Sequence, residues 1–354
     1  MPFIHSVSSA LAPNYYDQET LTRSLLEDWN GKYVNTDRIL KFQKNVKVGG
    51  RHLAVPLERY KQLKSFGDFN DAWLEAAVPM ATQAVEELLE GAGLSPEDIG
   101  SLTSTTVTGV AVPSLDARLM NQLPFPRSTR RTPLFGLGCL AGVAGINRVG
   151  DYLVGHPKEA AILIAVELCS LTLQKEDLSV ANLIASGLFG DGCAAVLMVG
   201  DEHPLAASAP LEWSNPRSAF FPETERIMGW DVVDSGFKVV LSPEVPKLVA
   251  NEVPGEVKAL LEEAEVGQDK PDFVVAHPGG PRVLEALQAA LELEPEMLQH
   301  SWDSLEQHGN MSSASVLFIL KDTLENLPPT NSVGMMTALG PGFCAEFNLI
   351  RRAS

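Results

Sequence analysis

The same order of signals occurs twice along this chain, and that repetition limits its possible folds more than any other feature. In the first half a small-residue strand runs into Thr106-Val-Thr-Gly109, a Gly-rich segment opens a helix at Cys139, and Gly190-Asp-Gly-Cys-Ala-Ala-Val leads into a strand. In the second, a strand at 273–276 runs into His277-Pro-Gly-Gly, Gly309-Asn310 opens a helix over 311–326, and Gly340-Pro-Gly-Phe-Cys-Ala-Glu leads into the last strand. The separation from Thr108 to Cys139 is close to that from His277 to Asn310. An internal duplication is the economical explanation. It predicts two halves, 1–205 and 206–354, with 201–235, richer in Pro, Trp and charge, as the crossover.

Periodicity supplies the elements. Apolar residues at 73, 74, 76, 77, 78, 80, 84, 85, 88 and 89 predict a helix over 71–91, ended by Gly91. Ser95-Pro-Glu-Asp opens a short turn through a capping pattern. Segments 101–107, 159–166, 193–199 and 273–276 are rich in small and β-branched residues and read as buried strands. Alternating strands and helices over 354 residues indicate a layered α/β fold.

Bulk properties remove several function classes. Hydrophobic residues make up 45% and charged residues 20%, which argues against disorder. A net charge of −18 opposes broad contact with nucleic acid or anionic lipid. The apolar run 160–166 is far shorter than the ~20 residues of a membrane span. Four cysteines, at 139, 169, 193 and 344, have neither metal-ligand spacing nor the density of a disulfide scaffold. Together with an N-terminus lacking a signal-peptide pattern, this predicts free thiols in the cytoplasm.

Three positions carry chemistry. They are Cys139 in Gly136-Leu-Gly-Cys-Leu-Ala-Gly142, His277 before Pro-Gly-Gly-Pro281, and Asn310 in Gly309-Asn-Met-Ser-Ser-Ala-Ser315. A thiol attacks as its thiolate, which a helix N-terminus and a nearby imidazolium would favour. Asn310, at another helix start, can donate an amide N–H to an oxyanion or enolate. Each residue alone has a plain structural reading as core cysteine, turn histidine or helix cap. Their mirrored placement favours an enzyme that forms an acyl thioester on Cys139.

The quoted motifs, with Leu188-Phe-Gly-Asp-Gly192, resemble the signature set of the type III polyketide synthases, the chalcone synthase family, along the whole chain. Ketoacyl synthases of fatty-acid initiation use the same three residue types, but His277-Pro-Gly-Gly and Gly309-Asn310-Met-Ser favour the polyketide branch. The resemblance implies a homodimeric, thiolase-like αβαβα fold without metal or organic cofactor. It further implies acyl transfer from coenzyme A to Cys139, decarboxylation of malonyl-CoA with His277 and Asn310 stabilising the enolate, repeated extension, and cyclisation.

Further roles follow from that resemblance. Phe189 and Val239 take the gatekeeper positions, and Thr172, Cys169, Val107 and Val112 the cavity. Gly340, Pro341 and Gly342 take the cyclisation loop. Lys44, Lys47 and Arg51, in a run with Arg38 and Lys41 and no acidic residue, are candidates for the coenzyme A phosphates, as are Gly279, Gly280, Arg282 and Ser312. A solvated helix face is the other reading of the basic run. Apolar Val107, Val112 and Val239 favour a fatty-acyl starter closed to an alkylpyrone or alkylresorcinol, as in bacterial members. A synthase of tetrahydroxynaphthalene from malonyl-CoA alone, a single-condensation ketoacyl synthase and a Cys-His-Asn thioesterase remain as alternatives.

Overall fold

The computed structural model of the chain describes residues 1–29 and 36–353. Its strands are β1 (Phe3–Leu11), β2 (Asn14–Asp17), β3 (Gly50–Leu53), β4 (Ile99–Thr105), β5 (Arg130–Leu134), β6 (Ala160–Leu168) and β7 (Asp191–Val199). They continue with β8 (Leu211–Phe220), β9 (Met228–Val233), β10 (Gly236–Leu241), β11 (Phe273–Ala276), β12 (Val333–Gly340) and β13 (Cys344–Arg352). The helices are α1 (Gln18–Asp28), α2 (Thr36–Asn45), α3 (Leu57–Tyr60), α4 (Phe66–Ala92), α5 (Leu115–Leu119) and α6 (Ala141–Val154). After them come α7 (Val180–Leu188), α8 (Val245–Glu263), α9 (Pro281–Ala290), α10 (Gln299–His308) and α11 (Ser315–Glu325). Among the described residues, no helix is long and apolar enough to cross a membrane.

The duplication is visible in the strand order β11-β12-β13-β8-β1-β7-β6-β4-β5. In one half β4 runs parallel to β6, which pairs antiparallel with β7, which pairs antiparallel with β1. In the other, β11, β12, β13 and β8 repeat the same parallel, antiparallel, antiparallel sequence. The halves join where Phe3 and Ile4 meet Glu212 and Leu211, and strands of both halves share one central apolar layer.

Three apolar layers fill the spaces, giving the expected αβαβα order. On β6, Ala160, Ile162, Ile164 and Val166 pack against α4 residues such as Trp73 and Val85. The alternate residues Ala161, Leu163 and Ala165 pack with α6 and α11 between the sheets. On the other side β12 sends Met336 and Ala338 into that central layer and Met335 out to α8 and α9. Small residues let the central helices approach: a Cβ on Gly142 would lie 2.4 Å from the Ser313 carbonyl oxygen. That contact brings the start of α6 to the start of α11, and with them Cys139 and Asn310.

Two of the departures from expectation have a clear physical reason. Helix α4 starts at Phe66, because Ser65 and Asp68 form a reciprocal capping box, and it passes Gly91 to end at Gly93, which takes φ +66°. The segment 201–235 is no mere crossover, since it contains β8, a central strand of the sheet. Pro216 and the charged residues hide that strand's pattern, and the structure accommodates them by a register shift opposite Phe347 to Leu349, with Asn215 at φ +49°.

Candidate active site

Cys139 lies in a 3-10 turn, Gly138–Leu140, that runs directly into α6. It is half-buried, and the Ser312 hydroxyl donates to its sulfur at 3.5 Å. Ser312, expected at the coenzyme A phosphates, is thus a neighbour of the Cys139 sulfur. Its φ of +48° is unfavourable for a side-chain-bearing residue, costing about 1–3 kcal/mol. The Ser312 N–H donates to Asn310 Oδ1 at 2.7 Å, which fixes the orientation of the amide and leaves Nδ2 as its donor side.

His277 follows β11, held by its backbone N–H to the Thr337 carbonyl at 2.9 Å. It is buried, and neither ring nitrogen has a protein partner among the described residues. Asn310 is held on the other side by a short bridge: its N–H donates to the Leu188 carbonyl at 2.8 Å, and Gly190 N–H to its own carbonyl at 3.0 Å. Its Nδ2 also donates to the Gly279 carbonyl at 3.2 Å. The amide and the imidazole therefore face one space from adjoining turns.

Charge is unwelcome in that space. Burial pushes the Cys139 thiol up to about 11 and the His277 imidazole down to about 3; the Ser312 hydroxyl and the cysteine's own N–H favour the thiolate but do not prevail. The preformed ion pair expected from the sequence is disfavoured because a helix terminus contributes at most ~2 kcal/mol, less than the desolvation of a charge.

A further polar group went unnoticed in the sequence. Glu167 is fully buried and accepts from Val107 N–H at 3.1 Å, the Thr108 hydroxyl at 2.9 Å and the Ser313 hydroxyl. Burial raises its carboxyl to about 7 despite those donors, and its charge further discourages the thiolate of Cys139. A lone glutamate at the end of the apolar run 160–166 was the available signal.

One cavity of about 500 Å³ gathers Cys139, His277 and Asn310 with Phe189, Val239, Val107, Ser312, Gly279, Gly280, Arg282 and Pro341. A second, of about 90 Å³, takes Cys169 and Thr172 away from it, and Phe189, Trp230 and Val239 line both. Phe189 thus stands in a dividing wall with Trp230, their ring centroids 6.0 Å apart. Trp230 was hidden in the supposed crossover. Val112 is 93% exposed and lies outside the cavity, because the preceding loop is tied outward by reciprocal bonds between Val110 and Asn70.

The basic run divides. Lys44 is exposed on α2 beside Asn45, which lines the cavity, while Lys47 pairs with Glu285 at 3.4 Å and lies over the Trp302 ring. Arg51 does not reach solvent: it is 4% exposed and donates to the Phe189 carbonyl at 2.7 Å, so it cannot meet a phosphate at the surface.

Residues 36–210 match the family model described as FAE1/Type III polyketide synthase-like protein, and residues 213–354 that of chalcone and stilbene synthases, C-terminal domain. The chain is 42% identical to a 1,3,6,8-tetrahydroxynaphthalene synthase of Streptomyces peucetius, over 98% of this chain and 92% of that protein. It is 35% identical to a putative chalcone synthase of Bacillus subtilis, over 99% and 98%. Among solved structures, 1,3,6,8-tetrahydroxynaphthalene synthase from Streptomyces coelicolor superposes with a TM-score of 0.93 at 29% identity, covering 99% of each chain.

Proposed function

The chain belongs to the type III polyketide synthase family and is an acyltransferase, and from that premise we propose that it extends a fatty-acyl starter with malonyl-CoA on Cys139. Sulfur attacks the starter thioester carbonyl while its proton passes to His277, and coenzyme A leaves with a proton. Malonyl-CoA then loses CO2, and the electron pair of the broken C–C bond becomes an enolate whose oxygen accepts N–H bonds from His277 and Asn310. The enolate carbon attacks the acyl carbonyl on Cys139, expelling the sulfur and lengthening the chain by two carbons. Neutral donors suit this step, since the site disfavours isolated charge.

The observation that carries the fatty-acyl reading is the cavity lining: Val107, Val180, Ile184, Leu188, Trp230 and Val239 offer an aliphatic chain apolar contact and few polar partners. A second reading, condensation of malonyl-CoA alone to tetrahydroxynaphthalene, is supported by the activities named for the Streptomyces relatives. Incubation with malonyl-CoA, with and without acyl-CoA from acetyl to stearoyl, followed by mass spectrometry of products, separates them. Pyrones or resorcinols formed only with long acyl-CoA are the expected result. An aromatic product from malonyl-CoA alone transfers the chain to the second reading, and free fatty acid alone removes both.

Lys44 and Arg282, exposed beside the cavity, are the proposed contacts for coenzyme A phosphates. Reversing both charges should raise KM for CoA thioesters about tenfold at low salt and less at high salt, with kcat unchanged. A KM that stays put returns them to ordinary surface. The homodimer remains part of the proposal, with exposed Val110, Val112 and Phe135 as candidates for its interface and the solution mass as its check.

A further inference from the structure

We propose that Arg51 is a positioning residue for the extension step, holding the Phe189–Asn310 bridge so that the Asn310 amide stays where the enolate forms. The inference rests on the reading of Asn310 as an enolate donor. Arg51 Nη1 donates to the Phe189 carbonyl at 2.7 Å, and Phe189 is the residue bridged to Asn310 through the Leu188 carbonyl and the Gly190 N–H. The aliphatic stem of Arg51 fills the space beside Gly309, immediately before Asn310. A Cβ there would lie 3.1 Å from Arg51 Cδ and 2.5 Å from the Leu188 oxygen, and Gly309 takes φ +70°. One side chain therefore braces both strands of the bridge.

Its surroundings show why it is rigid. The buried Asp191 is its opposite charge, with Tyr60 the other titratable group facing it. Asp191 is in turn fixed by Ala54 N–H at 2.6 Å, by Ser170 N–H at 2.8 Å and by the Ser170 hydroxyl, which also meets Tyr60. Burying a guanidinium this way is costly, and an apolar side chain of similar volume would pack with less desolvation. What the apolar side chain could not do is hold the Phe189 carbonyl. Arg51 Nε has no partner among the described residues, so it is Nη1, on the Phe189 carbonyl, that fixes the head of the side chain. A displacement of about 1 Å at a group that must meet a developing charge costs on the order of 100-fold in rate.

The test is Arg51→Met in the full chain, with Arg51→Lys beside it. Malonyl-CoA decarboxylation and extension should fall about 10- to 100-fold in kcat for Arg51→Met. KM for malonyl-CoA and the rate of starter loading on Cys139, read by intact-protein mass, should change less than about threefold. Arg51→Lys, which keeps the cation and most of the stem, should recover part of the loss, and it carries the test if the Met variant does not fold. A raised KM at unchanged kcat, or loading and extension falling together, overturns the proposal. Asn310→Asp is the control: if it slows decarboxylation while both Arg51 variants leave it intact, only the positioning role fails; if Asn310→Asp also has no effect, the enolate reading fails with it.

Discussion

Cys139→Ala should yield no polyketide and no acyl adduct on the protein, a loss of at least about 10⁴-fold, the scale seen when a covalent nucleophile is removed. Malonyl-CoA decarboxylation should persist within a few-fold, because His277 and Asn310 are untouched and face the same cavity. The other thiols give a rescue no foothold. Cys169 and Cys193 are buried, and burial pushes both thiols up. Cys344 is half-buried, donates to the Pro341 carbonyl at 2.9 Å and is pushed up to about 11. Normal product from the Ala variant, or an acyl adduct on any of those three, would end the assignment of Cys139 as nucleophile. Loss of decarboxylation along with condensation would instead mean that the sulfur shapes the site for malonyl-CoA.

The sequence showed these residues because they sit in the Gly-marked turns that precede helices, which the duplicated order of glycines, strands and helices makes visible. Cys139 and Asn310 start the two central helices, and Gly142 against Ser313 joins them, so local signals sufficed to bring both into one cavity. Arg51 shows the opposite case. Its run of basic neighbours argued for a phosphate contact or a solvated face, whereas it is buried against the Phe189 carbonyl and Asp191, more than a hundred residues away. β8 was concealed because its bulge places Pro216 inside a strand. Val112 carried the residue type of a cavity wall, but side-chain bonds from Asn70 turn its loop to solvent. Composition reports what a residue prefers, and the partner that overrides the preference lies on another element. The protonation of the site belongs with these: a helix start at Cys139 is visible in the sequence, but the desolvation that outweighs it depends on the assembled cavity.

Asn310→Asp should give the complementary phenotype to Cys139→Ala. The substitution keeps the shape and keeps an oxygen for the Ser312 N–H, so the turn with φ +48° at Ser312 retains its anchor. What changes is Nδ2, the donor now bonded to the Gly279 carbonyl, which becomes a second oxygen facing that carbonyl and the forming enolate. A donor to a developing oxyanion contributes roughly 3–4 kcal/mol, so decarboxylation and extension should fall about 10²- to 10³-fold or more, with charge repulsion added. Starter loading on Cys139 should survive within about tenfold, since it needs the sulfur and a proton acceptor in His277. Intact-protein mass after exposure to acyl-CoA, followed by CO2 release from malonyl-CoA, reads the two steps separately. Retained decarboxylation with lost loading would reverse the roles given to Asn310 and force its amide to serve the thioester carbonyl. A Cys-His-Asn hydrolase predicts neither phenotype: both variants would lose release of free acid, and malonyl-CoA would go unconsumed in each. The division of labour between a sulfur at the start of α6 and an amide before α11 is therefore testable as a pair, and each variant supplies the control for the other.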